Sequence, residues 1–153
     1  MPALGRNPGA DATAPEHGLP EDRCLALLRR HSIGRVLSAT TDGLAVVPVN
    51  YRFDGDRLVL SAPPGLEELA AASGPVTFEV DQHEEGLPWS WVVVVQGTLR
   101  VLDADDVDAS HFDPPLAAWS ADGGSPYLEL VARSWTGREL SRHHQLIPGA
   151  DGC

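Results

Sequence analysis

The chain has 153 residues, 42% of them hydrophobic, which is enough for one domain around a single core. Its 22 acidic residues outnumber 11 basic ones, all of them Arg, for a formal net charge of −11. A surface of that sign repels nucleic acid and anionic membranes, and the absence of Lys excludes lysine Schiff-base chemistry and a lysine phosphate anchor.

Abundant Ala, Gly and Pro, with Arg in place of Lys, point to GC-rich coding of the actinobacterial kind. Cys24 and Cys153 form no disulfide framework. No stretch is long and apolar enough to span a bilayer, and the N-terminus lacks the basic start and apolar run of a signal peptide. The expected location is cytoplasmic.

Residues 1–18 are rich in Pro, Gly and Ala without periodicity and read as a disordered tail. A single domain is expected over 19–142, with a C-terminal tail over 143–153. Pro20 fits a first helical position, followed by Glu21 and Asp22 in the first turn. Cys24, Leu27 and Leu28 fall on one face, and Arg29, Arg30 and His31 close the helix at its negative end. The pattern predicts a short amphipathic helix over 20–31, lying as a lid on a sheet.

A β-rich stretch follows. Ile33–Ala39 reads as a strand and Thr41-Asp42-Gly43 as a hairpin turn. Leu44–Phe53 is a second strand containing Pro48, which cannot donate to a ladder, so this strand is an edge or is bulged there. Asp54-Gly55-Asp56 is a further hairpin signal before the strand Leu58–Leu60. Ser61-Ala62-Pro63-Pro64-Gly65 leads into a helix over Leu66–Ala72, which Ser73-Gly74-Pro75 ends. Val76–Val80 alternates as a strand, 81–88 is an acidic loop, and Trp89–Leu102 is a long strand with a bulge or bend at Gly97. A short helix is expected around 104–112, a last strand over Tyr127–Arg133, and a turn at Thr136-Gly137-Arg138. These elements give a mainly β fold with short helices, an antiparallel barrel of about six strands.

The order of these elements resembles the pyridoxamine 5′-phosphate oxidase-like proteins, which have a flavin-binding split β-barrel. The residues that carry the resemblance are Cys24-Leu-x-Leu-Leu28, Ile33-Gly-Arg-Val36, Val47-Pro-Val-Asn-Tyr51 with Asp54-Gly-Asp56, Ala62-Pro-Pro-Gly65, Val76-x-Phe-Glu-Val-Asp81, Trp91 through Gly97, and Trp135-Thr-Gly-Arg138. The resemblance covers about four fifths of the chain and implies a six-stranded split β-barrel homodimer. It also implies FMN, or a related flavin such as the deazaflavin F420, in a groove at the subunit interface. By position Pro48, Val49, Asn50 and Tyr51 would line the flavin ring. Ser61, Ala62, Leu66 and Glu67 would face its phosphate, with Trp91 and Gln96 close by.

One departure bears on the cofactor. Relatives carry cations where this chain has Ser61 and Glu67. At ~4 Å and an effective dielectric near 20, two unit charges interact by roughly 4 kcal/mol, so exchanging attraction for repulsion would cost several powers of ten in affinity. The bland reading is that Glu67 and Glu68 stabilise the first turn of their helix. Arg52, Arg57, Arg100, Arg133 and Arg138 are each read first as solvated surface residues. Trp135 is read as an interface anchor, while Trp91 is left between ligand and core. His17, His31, His83, His111, His143 and His144 show no metal-binding spacing.

Two functions follow. The first is a flavin-dependent oxidoreductase acting on a small organic molecule, which needs no dedicated catalytic side chain because the cofactor carries the chemistry. The second is a barrel that has lost FMN and uses the interface groove for another ligand or a non-redox step.

Overall fold

In the computed structural model the described residues are 18–53, 57–61, 63–72, 74–85, 89–103, 106 and 127–141. The expected terminal tails other than Gly18, the Asp54–Asp56 hairpin, Ala62, Trp119, Cys153 and all but Asp106 of the helix around 104–112 lie outside them. Among the described residues no helix is long and apolar enough to cross a membrane.

Eight elements are formed. They are α1 (Glu21–Arg30), β1 (Ile33–Thr40), β2 (Gly43–Phe53), β3 (Leu58–Ser61), α2 (Leu66–Ala72), β4 (Val76–Gln82), β5 (Trp89–Val101) and β6 (Tyr127–Ser141). The strands close into a barrel in the order β1-β2-β3-β6-β5-β4, every neighbour antiparallel. Alternate residues fill the interior: Val36 from β1, Val49 and Tyr51 from β2, Phe78 and Val80 from β4, and Val93 and Val95 from β5. The Phe78 ring lies so close to β1 that a Cβ on Gly34 would come within 2.6 Å of its Cε2.

The short β3 splits the barrel. It pairs with only Asn50–Phe53 of β2, leaving Gly43–Val49 laddered to β1 alone. Pro48 sits in that one-sided half, opposite Arg35, and the register runs through it unbroken. The edge expectation therefore holds locally, without a bulge. The bulge expected at Gly97 is present, as a register shift between Gln96 and Gly97.

The turn expected at Thr136-Gly137-Arg138 is not formed, because β6 runs continuously from Tyr127 to Ser141. Gly137 has a packing role there. It faces α1, where a Cβ would collide with Cys24 Sγ and stand 3.0 Å from Leu19 Cβ. Its carbonyl also accepts a 2.9 Å hydrogen bond from Leu19 N, and Gly18 bridges to Arg138. The glycine admits the helix rather than bending the strand. Pro20, expected at the first helical position, instead occupies the N-cap.

Candidate functional site

The two-residue period of a strand sorts the candidate residues onto two faces. Val49, Tyr51, Leu66 and Trp91 belong to the core. The Tyr51 hydroxyl donates a 2.9 Å hydrogen bond to the Leu28 carbonyl, which ties β2 to α1. Burial raises its pKa, so it stays a neutral phenol. Trp91 Nε1 donates to Gln82 Oε1 at 3.2 Å, and the Trp91 ring lies 4.8 Å from that of His31. Their side chains therefore fill the core instead of lining an outer groove.

The outer face is different. Asn50 pairs directly with Ser61, and Tyr51 with Leu60, so Asn50 and Ser61 turn away from the core that Tyr51 and Leu60 fill. Pro48 precedes Asn50 by two residues and Arg52 follows it by two, so all four share one outer strip. On its other side Ser61 pairs with Tyr127 of β6. Gln96 is also outward and exposed, but it stands three strands round the barrel from β2. Ala62 lies outside the described residues.

Ser61 is the unusual member of the strip. It is 0% exposed, and its Oγ is buried without a hydrogen-bond partner. Buried hydroxyls are nearly always paired, since an unsatisfied one costs about 1–3 kcal/mol. Just beyond it, Gly65 takes a positive φ of 99° and the chain turns into α2. Glu67 is half-buried and Glu68 exposed, and Glu68 Oε2 lies 3.5 Å from where a Gly65 Cβ would stand.

The cations are mostly engaged elsewhere. Arg57 Nε donates to Glu129 Oε1 at 3.2 Å. Arg100 pairs with Glu129 and, at 3.4 Å, with Asp106. Burial works against the Glu129 carboxylate, but the hydrogen bonds and charges of Arg100 and Arg57 outweigh it and hold its pKa below the usual carboxylate value. Arg35, opposite Pro48, donates to Glu79 at 2.9 Å and pairs with Asp81. Sequence reasoning weighed neither Arg35 as a neighbour of Pro48 nor the face that Arg52 shares with Ser61. Register supplies both, and no local pattern carries it.

Burial assigns two further residues. Trp135 is 7% exposed within its own chain, so it is a core residue rather than an interface anchor. With Leu25, Leu28, Phe53, Val95 and Ala132 it lines a small cavity that has no polar wall. Cys24 is buried, and desolvation pushes its thiol up to about 11, so it is no nucleophile. Among the described residues no cluster of His, Cys, Asp and Glu could hold a metal ion.

Comparison with known proteins places this geometry in a family. A search of curated proteins returns no match. A 26% identical protein from Corynebacterium glutamicum, provisionally named a pyridoxamine 5′-phosphate oxidase, superposes with a TM-score of 0.67 over 82% of this chain and 98% of its own. The FAD-binding protein of Mycobacterium smegmatis, 21% identical, shares the fold with a TM-score of 0.65 over 82% of this chain and 99% of its own. So does a FAD-binding protein of Mesorhizobium loti, 24% identical, with a TM-score of 0.63 over 82% and 96%. The family model for pyridoxamine 5′-phosphate oxidase matches residues 20–139, and the chain belongs to that family.

Proposed function

We propose that this protein binds a flavin along the outer strip of β2 and β3, at the interface of two copies, and serves as an oxidoreductase for a small organic molecule. The observation that carries the reading is the Ser61 hydroxyl, which is buried, unpartnered and in register with Asn50. A ligand oxygen at Ser61 would remove its unsatisfied hydrogen bond. The FAD-binding proteins of M. smegmatis and M. loti support a flavin as that ligand.

The chain's part in the work is positioning. Pro48 has no N–H, and residues 43–49 of β2 ladder to β1 alone, so backbone groups there are available to the polar edge of a ring. Ser61 donates to a phosphate oxygen, with Asn50 beside it. When bound, a flavin supplies hydride or electron transfer. Water is kept from the ring by the apolar outer face, where Leu44 is 63% and Val46 51% exposed in the single chain. A second copy is the proposed cover for that face.

The test is the visible spectrum of the purified protein as flavins are added. A flavin band that shifts and saturates at one flavin per chain is expected. A protein that leaves the spectra of riboflavin, FMN and FAD unchanged overturns the reading. That result would favour the second function, a barrel whose groove serves another ligand, for which Glu67 and Glu68 speak.

A further inference from the structure

Resting on the flavin reading above, we infer that Tyr127 is a second phosphate-binding residue, its hydroxyl donating beside that of Ser61 to the phosphate of the ligand. The starting point is the pairing of β3 with β6, in which Ser61 stands directly opposite Tyr127. Directly opposed residues of an antiparallel pair share a face, with Cβ atoms about 4.5–5.5 Å apart. Ser61 lies on the outer face, so Tyr127 does too.

The two hydroxyls have the same unmet need. Ser61 Oγ is fully buried and has no hydrogen-bond partner. Tyr127 is half-buried, and its hydroxyl makes no hydrogen bond among the described residues. The ring is nevertheless held in place. It packs against Val59 and Leu102, and Val59 precedes Ser61 by two residues on the same outer face. Tyr51 is the contrast inside the barrel, where the hydroxyl is bonded to the Leu28 carbonyl. A tyrosine whose ring is fixed by packing and whose polar end is unused has a donor to offer a ligand.

The other polar groups nearby are committed. Arg57 is tied to Glu129, and Arg100 to Glu129 and Asp106. Asn50 and Arg52 each have an interaction of their own, and the chain has no Lys. The contact therefore falls to neutral donors. Hydrogen bonds from hydroxyls to a phosphate oxygen are of the strong, charge-assisted kind, so two of them make a phosphate subsite without a free cation. Tyr127 is far from Ser61 in sequence, and only the register of β6 brings it there.

The test uses the full chain with Tyr127→Phe, which keeps the ring on Val59 and Leu102 and removes the hydroxyl alone. Dissociation constants are measured by flavin fluorescence for FMN and for riboflavin, which has the same ring system and no phosphate. FMN should bind the unaltered protein more tightly than riboflavin does. The substitution should weaken FMN by about 10-fold and leave riboflavin unchanged, with the melting temperature of the ligand-free protein unaltered. Equal weakening of FMN and riboflavin overturns the inference, because Tyr127 would then act on the ring system or on the fold. Unchanged FMN affinity in the variant, or FMN no tighter than riboflavin in the unaltered protein, also overturns it and leaves the flavin reading standing. Failure of both flavins to bind the unaltered protein removes the flavin reading and the inference with it.

Discussion

Ser61 ends a strand whose other three residues are Leu58, Val59 and Leu60, and it is buried as completely as they are. An unpaired hydroxyl in that place lowers stability, and a ligand that pairs it gains what the folded chain lacks. Ser61→Ala should therefore leave the melting temperature of the ligand-free protein unchanged or raise it, while weakening flavin binding by about 10-fold. Thermal unfolding with and without flavin checks both halves. Equal loss of stability in the two states would mean the hydroxyl serves the fold alone. Tyr51 is the contrast, since its hydroxyl is paired with the Leu28 carbonyl. Tyr51→Phe should cost about 1 kcal/mol by denaturant unfolding, from the lost hydrogen bond. Both were candidates in the sequence, Tyr51 in the stretch expected along the ring and Ser61 in the loop expected at the phosphate. That they serve opposite faces follows from the register of β2 with β3, and local sequence does not carry that.

At the scale of elements, the misread one is β6. Thr136-Gly137-Arg138 has turn composition, and the glycine is needed, but because α1 approaches the strand face at Gly137. A glycine that admits a neighbour and a glycine that bends the chain look alike until the neighbour is placed. Gly137→Ala should cost about 1–3 kcal/mol through overpacking against Cys24 and Leu19, and adding Cys24→Ala should recover part of it. Additive losses in that double-mutant cycle would show that the two residues do not meet. Other elements were read correctly because their signals are local: the amphipathic face and end charges of α1, the bounds of α2, and the bulge at Gly97.

Glu129 joins β6 to Arg57 and to Arg100 of β5, and its depressed pKa makes that junction sensitive to acid. A carboxylate whose folded pKa lies below its unfolded value of about 4.3 adds stability above that value, and the contribution is lost as the pH falls through the folded pKa. Glu129→Gln should therefore lower the melting temperature at pH ~7 by more than it does at pH ~3, so the gap from the unaltered protein closes with acid. A gap that stays constant across that range would mean the pairs contribute nothing through ionisation.

At the scale of the whole molecule, the barrel carries an outer face that a solitary chain has no evident use for. Ile33, Leu44 and Val46 are 66%, 63% and 51% exposed, Ile33 on β1 and the other two on β2 with Pro48 and Asn50. Leu44 and Val46 neighbour one another on β2, while Ile33 stands opposite Asn50 on β1. If two copies meet there, Val46→Asp should convert a dimer into a monomer in sedimentation velocity and weaken flavin binding together with assembly. A protein that is monomeric without the substitution would separate the site from any interface. The family pattern made the barrel and its dimer an expectation from sequence. The geometry adds that the exposed Leu44 and Val46 continue along β2 from Pro48, Asn50 and Arg52.

The central claim is that the outer strip with Ser61 at its end holds a flavin. It is tested most directly by titrating the purified protein with FAD and FMN and following the visible flavin band. The account predicts saturation at one flavin per chain with a dissociation constant of about 1 μM or tighter, weakened by Ser61→Ala. Unchanged flavin spectra, or binding that ignores Ser61→Ala, would contradict it.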